Sequence, residues 1–251
     1  MSDKVEDQIC LENTDCITPI HYALDSLKRN IKKILRDKKE RYKERIYDEI
    51  EFISVLLHKI KRICGLEQMK KGLAIASKKE GKLPLHTVMS LFNLPEEEAK
   101  KEEKDKMKEY QKYYADIHDK LYKIIYQMNP DAKNIKDKDQ DYPIHILCNL
   151  PYISENNINT MIDELYPTAI DKTNQEGAFP IHLAFTPPCL PVECALHLLE
   201  KDTEGLDKAA FTTEHQSKNQ ERGKVYHHKV YNAFPIHLAC EFLDAQGLNK
   251  V

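Results

Sequence analysis

The segment Tyr166-Pro167-Thr168-Ala169-Ile170-Asp171-Lys172-Thr173-Asn174-Gln175-Glu176-Gly177-Ala178-Phe179-Pro180-Ile181-His182-Leu183-Ala184 decides the fold. Proline in the first turn of a helix gives up no hydrogen bond and presets φ, so a helix should begin at Pro180. The stretch Thr173 to Gly177 ahead of it has the composition of a tight polar turn. The same plan stands 37 residues earlier: Pro130-Asp131-Ala132, the polar link Lys138-Asp139-Gln140-Asp141, then Tyr142-Pro143-Ile144-His145-Ile146-Leu147. In both copies a proline lies 13 residues before the motif proline and is followed closely by an alanine, Ala132 or Ala169. An apolar helical stretch precedes each copy, Ile124 to Met128 and Met161 to Leu165.

Working outward, the Pro-aliphatic-His core occurs five times and accounts for five of the 11 histidines. Its prolines and histidines are Pro19 and His21, Pro84 and His86, Pro143 and His145, Pro180 and His182, and Pro235 and His237. The prolines are separated by 65, 59, 37 and 55 residues. Behind the motif a second helix is expected from apolar residues at helical intervals: Ile158, Met161, Ile162 and Leu165 in one copy, Val192, Ala195, Leu196 and Leu199 in the next. Each unit is thus a helix–loop–helix with a projecting turn. One such unit cannot bury its own apolar face, so the units must stack.

These residues resemble the ankyrin repeat, whose signature is T-P-L-H-x-A. Thr18 through Asp37 follows that pattern, with Ile31, Ile34 and Leu35 where the second helix is apolar. Leu27-Lys28 stands where the family has the Gly-His that joins the two helices. The 37-residue pair looks like a divergent form of the same repeat. The resemblance implies an all-α ankyrin-like solenoid. It implies that the motif histidines are structural and tie neighbouring turns together. It also implies a non-catalytic protein that binds another protein through a concave surface. The polar start and the lack of a bilayer-spanning stretch point to an intracellular location, cytoplasmic or nuclear.

On this reading residues 1–17 are a polar N-terminal segment and 18–251 the array. Its units lie near 18–50, 51–82 (degenerate, or a long helix), 83–129 (with a charged helical insertion), 130–166, 167–229 (with a polar loop insertion) and 230–251 (partial). Phe52, Ile53, Leu56, Leu57, Ile60 and Ile63 form the apolar stripe of the second of these. Pro95 to Tyr114 reads as a mixed-charge helix with Glu–Lys pairs. Thr203 to Lys229 reads as a mobile loop. Leu238 and Phe242 would cover the preceding repeat, and the last residues should pack poorly. Partner contacts are expected at the turn tips: Asp137, Asp139 and Gln140, then Thr173, Asn174 and Gln175, then Tyr231 and Asn232.

Composition excludes several other classes. The chain has 251 residues, 38 basic and 41 acidic, for a net charge of −3, which gives no overall attraction to nucleic acid. The seven glycines form neither a dinucleotide-binding fingerprint nor a P-loop. The seven cysteines include no CxxC pair, so reduced, buried thiols are expected rather than disulfides or zinc. The longest uncharged stretch, Gly177 to Val192, is broken by four prolines and cannot cross a bilayer as a helix. The start MSDKVEDQICLENTD is not a signal peptide. No catalytic constellation, metal site or cofactor is expected, His215 with His227-His228 included. The chain is read as a monomer. Two alternatives stay open: a regulatory or targeting fragment of a larger enzyme, and an anionic-surface or nucleic-acid binder acting through Lys28 to Arg45, where ten basic residues face three acidic ones.

Overall fold

The computed structural model describes residues 18–37, 41–77, 80–91, 104–150, 155–186, 190–201 and 234–242. Among them the regular structure is entirely helical: α1 (Pro19–Asp37), α2 (Arg41–Leu73), α3 (Pro84–Ser90), α4 (Lys104–Met128), a 3-10 turn (Pro130–Asn134), α5 (Pro143–Leu147), α6 (Glu155–Leu165), α7 (Pro180–Phe185), α8 (Val192–Lys201) and α9 (Pro235–Phe242). Each of the five motif prolines is the first residue of a helix. No helix among the described residues is long and apolar enough to cross a membrane.

The chain divides into two compact units at Lys138 and Asp139. In the first, the motif helices α1 and α3 touch each other, as do α2 and α4, the helices that follow them; α1 also packs on α2, and α3 on α4. Leu24, Leu27 and Ile31 of α1, Ile53 and Leu57 of α2, Leu85 and Val88 of α3, and Ile117 and Leu121 of α4 are fully buried. At the surface Tyr47 of α2 donates to Asp116 of α4 (2.8 Å), and Lys120 closes on the same carboxylate (2.9 Å). Burial, with the Asp116 carboxylate beside it, pushes the Tyr47 hydroxyl up to about 12.

The second unit repeats the scheme. The motif helices pack in succession, α5 on α7 and α7 on α9, and α6 packs on α8. Ile158, Met161, Ile162 and Leu165 form the buried face of α6, as their spacing requires. In α8 the buried face is Cys194, Ala195 and Leu198, not the expected Val192, Ala195, Leu196 and Leu199. Treating Cys194 as a small apolar residue rotates the face by about one position and removes the discrepancy. Asp163 of α6 ties α8 through His197 (3.0 Å) and Lys201 (2.9 Å), and the Lys201 bond holds its carboxyl below the usual range.

Three expectations need correction. Thr18 to Asp37 does not hold two helices: α1 runs through Leu27-Lys28 without a break, because leucine, lysine and arginine propagate a helix where Gly-His would end it. The side chains of Ile34 and Leu35 lie outside the described set. The boundary set at 50/51 falls inside the helix that begins at Arg41; the break in α2 comes instead at Gly65 (φ 79°), where two helices meet across a kink. Within its stripe Ile53, Leu57 and Ile60 are buried, whereas Phe52 and Ile63 are exposed. Finally, the thiols are not uniformly buried. Of the four described cysteines, all free, Cys148 and Cys194 are buried, Cys64 is partly so and Cys240 is exposed.

The inserted helix is described only from Lys104, and the segments at 202–233 and 243–251 lie outside the described residues, as does the side chain of Phe242. Leu238 is buried.

Candidate functional site

The recurring link and the helix start that follows it are the most specific feature of the molecule. The histidine closes that helix start. In four of the five copies the backbone N–H just before the proline donates to the ring Nδ1: Thr18 to His21 (3.2 Å), Tyr142 to His145 (3.2 Å), Phe179 to His182 (3.3 Å) and Phe234 to His237 (3.2 Å). This is the half of a capping box that a glutamate usually supplies at the same position. A ring that accepts at Nδ1 carries its proton on Nε2 and has one donor left. In His145 that donor reaches the Lys172 carbonyl (3.1 Å), eight residues before the next motif proline, so it joins one unit to the link of the next.

The links share a backbone conformation three residues before the motif proline. Gly81 (φ 66°), Gln140 (φ 60°) and Gly177 (φ 73°) are all left-handed there. Five residues before the proline, the backbone N–H donates to the preceding link: Lys138 to the Gly81 carbonyl (3.0 Å) in the first unit, Gln175 to the Asp139 carbonyl (3.2 Å) in the second. The alanine carbonyls match as well. Ala132 accepts from Ile135 N–H and Ala169 from Lys172 N–H, each at 3.2 Å. Ser77 and Asn174 occupy corresponding places in their turns. Ser77 N–H donates to Lys82 and its Oγ accepts from Glu80 N–H; Asn174 N–H donates to Ala178 and its Oδ1 accepts from Glu176 N–H.

Gly81 and Gln140 test this equivalence with opposite signs. A Cβ on Gly81 would lie 2.4–2.5 Å from the Lys138 side chain, including its Cβ, in a conformation that side chains already disfavour. Gly81→Ala should therefore lose about 2–3 kcal/mol. Gln140→Gly relieves the same backbone penalty and should gain up to about 1 kcal/mol in urea melts.

The expected tip residues separate. Asp139, Gln140 and Gln175 are exposed. Thr173 and Asn174 are half-buried, and Asn174 is occupied inside the fold, donating to Asp141 (2.9 Å) and accepting from Glu176 and Ala178. Asp137 is only 4% exposed and cannot offer its side chain to a partner; it lies below the turn rather than at its tip. Tyr231 and Asn232 lie outside the described residues. Glu176, which the sequence reading passed over, is exposed beside Gln175. Only its place in the turn could have pointed to it. The first helices offer little: α5 and α7 are buried except for the half-exposed Ile146 and Leu183.

Of the basic stretch Lys28 to Arg45, Lys28 is engaged by Glu80 (2.9 Å), whereas Arg29, Lys32 and Lys33 are exposed. Residues 34–43 have no described side chains. Among the described residues no group of three or more histidines, cysteines or acids is placed to hold a metal ion; His215, His227 and His228 lie outside that set.

Removal of the His182 ring strips the Phe179 N–H of its acceptor. His182→Ala should lose about 1–2 kcal/mol. His182→Gln should recover part of that loss, because glutamine can accept at the same place. The melting temperature should not respond to a chelator.

No protein-family model matches this chain, and no curated protein matches it.

Proposed function

We propose that the chain is a non-catalytic recognition scaffold, a divergent ankyrin-like array whose links form a preset surface for another protein. The observation that carries this reading is the recurrence of one link geometry: a left-handed residue at a fixed place, a backbone bond to the link before it, and a histidine closing the helix after it. Side chains on turns fixed in this way lose little conformational freedom on binding, which is what a recognition surface gains from a rigid support. The exposed tips Asp139, Gln140, Gln175 and Glu176 are the contact residues, rather than the largely buried first helices.

The test is capture of binding proteins by the intact chain, followed by affinity measurement with the purified partner. Gln175→Lys combined with Glu176→Lys should weaken that affinity at least about tenfold while leaving the melting temperature unchanged, since both side chains are exposed. A partner that binds the double variant as tightly as the wild type refutes the link surface.

A further inference from the structure

Helix α2 carries more apolar surface than its core uses. Ile46, Ile50, Ile53, Leu57 and Ile60 make its buried seam. At about 100° per residue, Phe52, Val55, Leu56 and Ile63 fall on a different side of the same helix. Phe52 is 59% exposed, Val55 44% and Ile63 36%, with Leu56 half-buried between them. Single exposed apolar residues are ordinary, but a helical row of them marks an interaction surface. Lys59 and Arg62 stand in the same row, exposed and in no ion pair among the described residues.

We infer that this face of α2 docks an acidic amphipathic helix of a partner protein. A helix laid along the row would place its apolar positions on Phe52, Val55 and Ile63, and carboxylates would meet Lys59 and Arg62. An uncharged or basic occupant would strand those two cations as it covered them. A second copy packed antiparallel about a two-fold axis would instead bring Asp48 and Glu51 against Lys59 and Arg62, so self-association is an outcome that the test separates from capture of an acidic helix. Asp48 and Glu51, exposed toward the other end of α2, oppose an anionic membrane or nucleic acid lying along the whole helix. The inference does not depend on the reading of the links.

The probe is a designed, fluorescein-labelled helical peptide with a leucine row flanked by glutamates, titrated into the full chain and followed by anisotropy. The control peptide replaces each glutamate with lysine. The acidic peptide should bind. Its affinity should fall about tenfold or more with Phe52→Ser/Ile63→Ser, and likewise with Lys59→Glu/Arg62→Glu. The latter variant should instead take up the lysine peptide. Circular dichroism and melting of both variants should match the wild type, since these positions lie outside the seam. Absence of binding, equal binding of the two peptides, or binding that both variants retain overturns the proposal. So does uptake onto phosphatidylserine vesicles, or dimerisation in sedimentation equilibrium, that Phe52→Ser/Ile63→Ser abolishes.

Discussion

Lowering the pH from 6.5 to roughly 5 is expected to cost the chain about 2 kcal/mol through His118 alone, and His118→Gln should escape that loss. His118 lies in α4 and is fully buried, in a run with Ile117, Leu121 and Tyr122. Burial drives its imidazole from the ordinary 6.5 down to about 3, opposed in part by a hydrogen bond with the Met89 backbone. Above pH 6.5 the ring is neutral in both the folded and the unfolded chain, and the stability it permits is fully present. As the pH falls below that value the unfolded chain takes up a proton that the folded chain refuses. Stability therefore drops until the folded ring also titrates, near pH 3, for a total on the order of 4 kcal/mol. Urea melts followed by helical circular dichroism suit a chain without tryptophan. The comparison is the difference between wild type and His118→Gln across the series, because carboxylates titrate in both. Parallel profiles would show that the ring is solvated in the folded protein.

The helix starts were legible because the signal is local. A proline preset for the first turn and a histidine that reaches back to cap it need nothing from the rest of the chain. The buried face of α6 was legible for a similar reason, since its apolar residues keep strict helical spacing. What the sequence withheld depends on tertiary context. The length of α1 follows from the absence of a stop signal at Leu27-Lys28, and the resemblance masked that absence by implying a second helix. The stripe of α2 divides into Ile53, Leu57 and Ile60 inside and Phe52 and Ile63 outside because α1 and α4 cover only one side of it. Periodicity marks apolar residues but does not say which of them find a neighbour. Among the tips, Asp137 and Asp139 are indistinguishable by composition. One is buried and the other exposed because the chain turns between them. Gln140 gave no sign of its left-handed backbone, whereas Gly81 and Gly177 at the corresponding places did.

Phe185→Ala is expected to lose about 3–5 kcal/mol and to open the second unit while α1 and α2 stay protected. Phe185 ends α7 and is among the largest fully buried side chains of the chain. Truncation removes the whole aromatic ring from the end of α7, whose neighbours α5, α8 and α9 are held by their own contacts and cannot collapse fully into the space. On the proposed reading of the chain as an array of repeats, stability is a sum of unit and nearest-neighbour contributions, so the damage should spread to the helices that touch α7 and fade beyond them. Hydrogen exchange resolves this directly. Amides of α5, α7 and α8 should exchange faster by the factor that the stability loss dictates, about a hundredfold or more. Amides of α1 and α2 should keep their wild-type rates. Phe185→Leu, which retains most of the volume, should show the same pattern on a smaller scale. Uniform acceleration from α1 to α8 would mean that the chain unfolds as one cooperative body, and a linear array of locally coupled units would then be the wrong description of it.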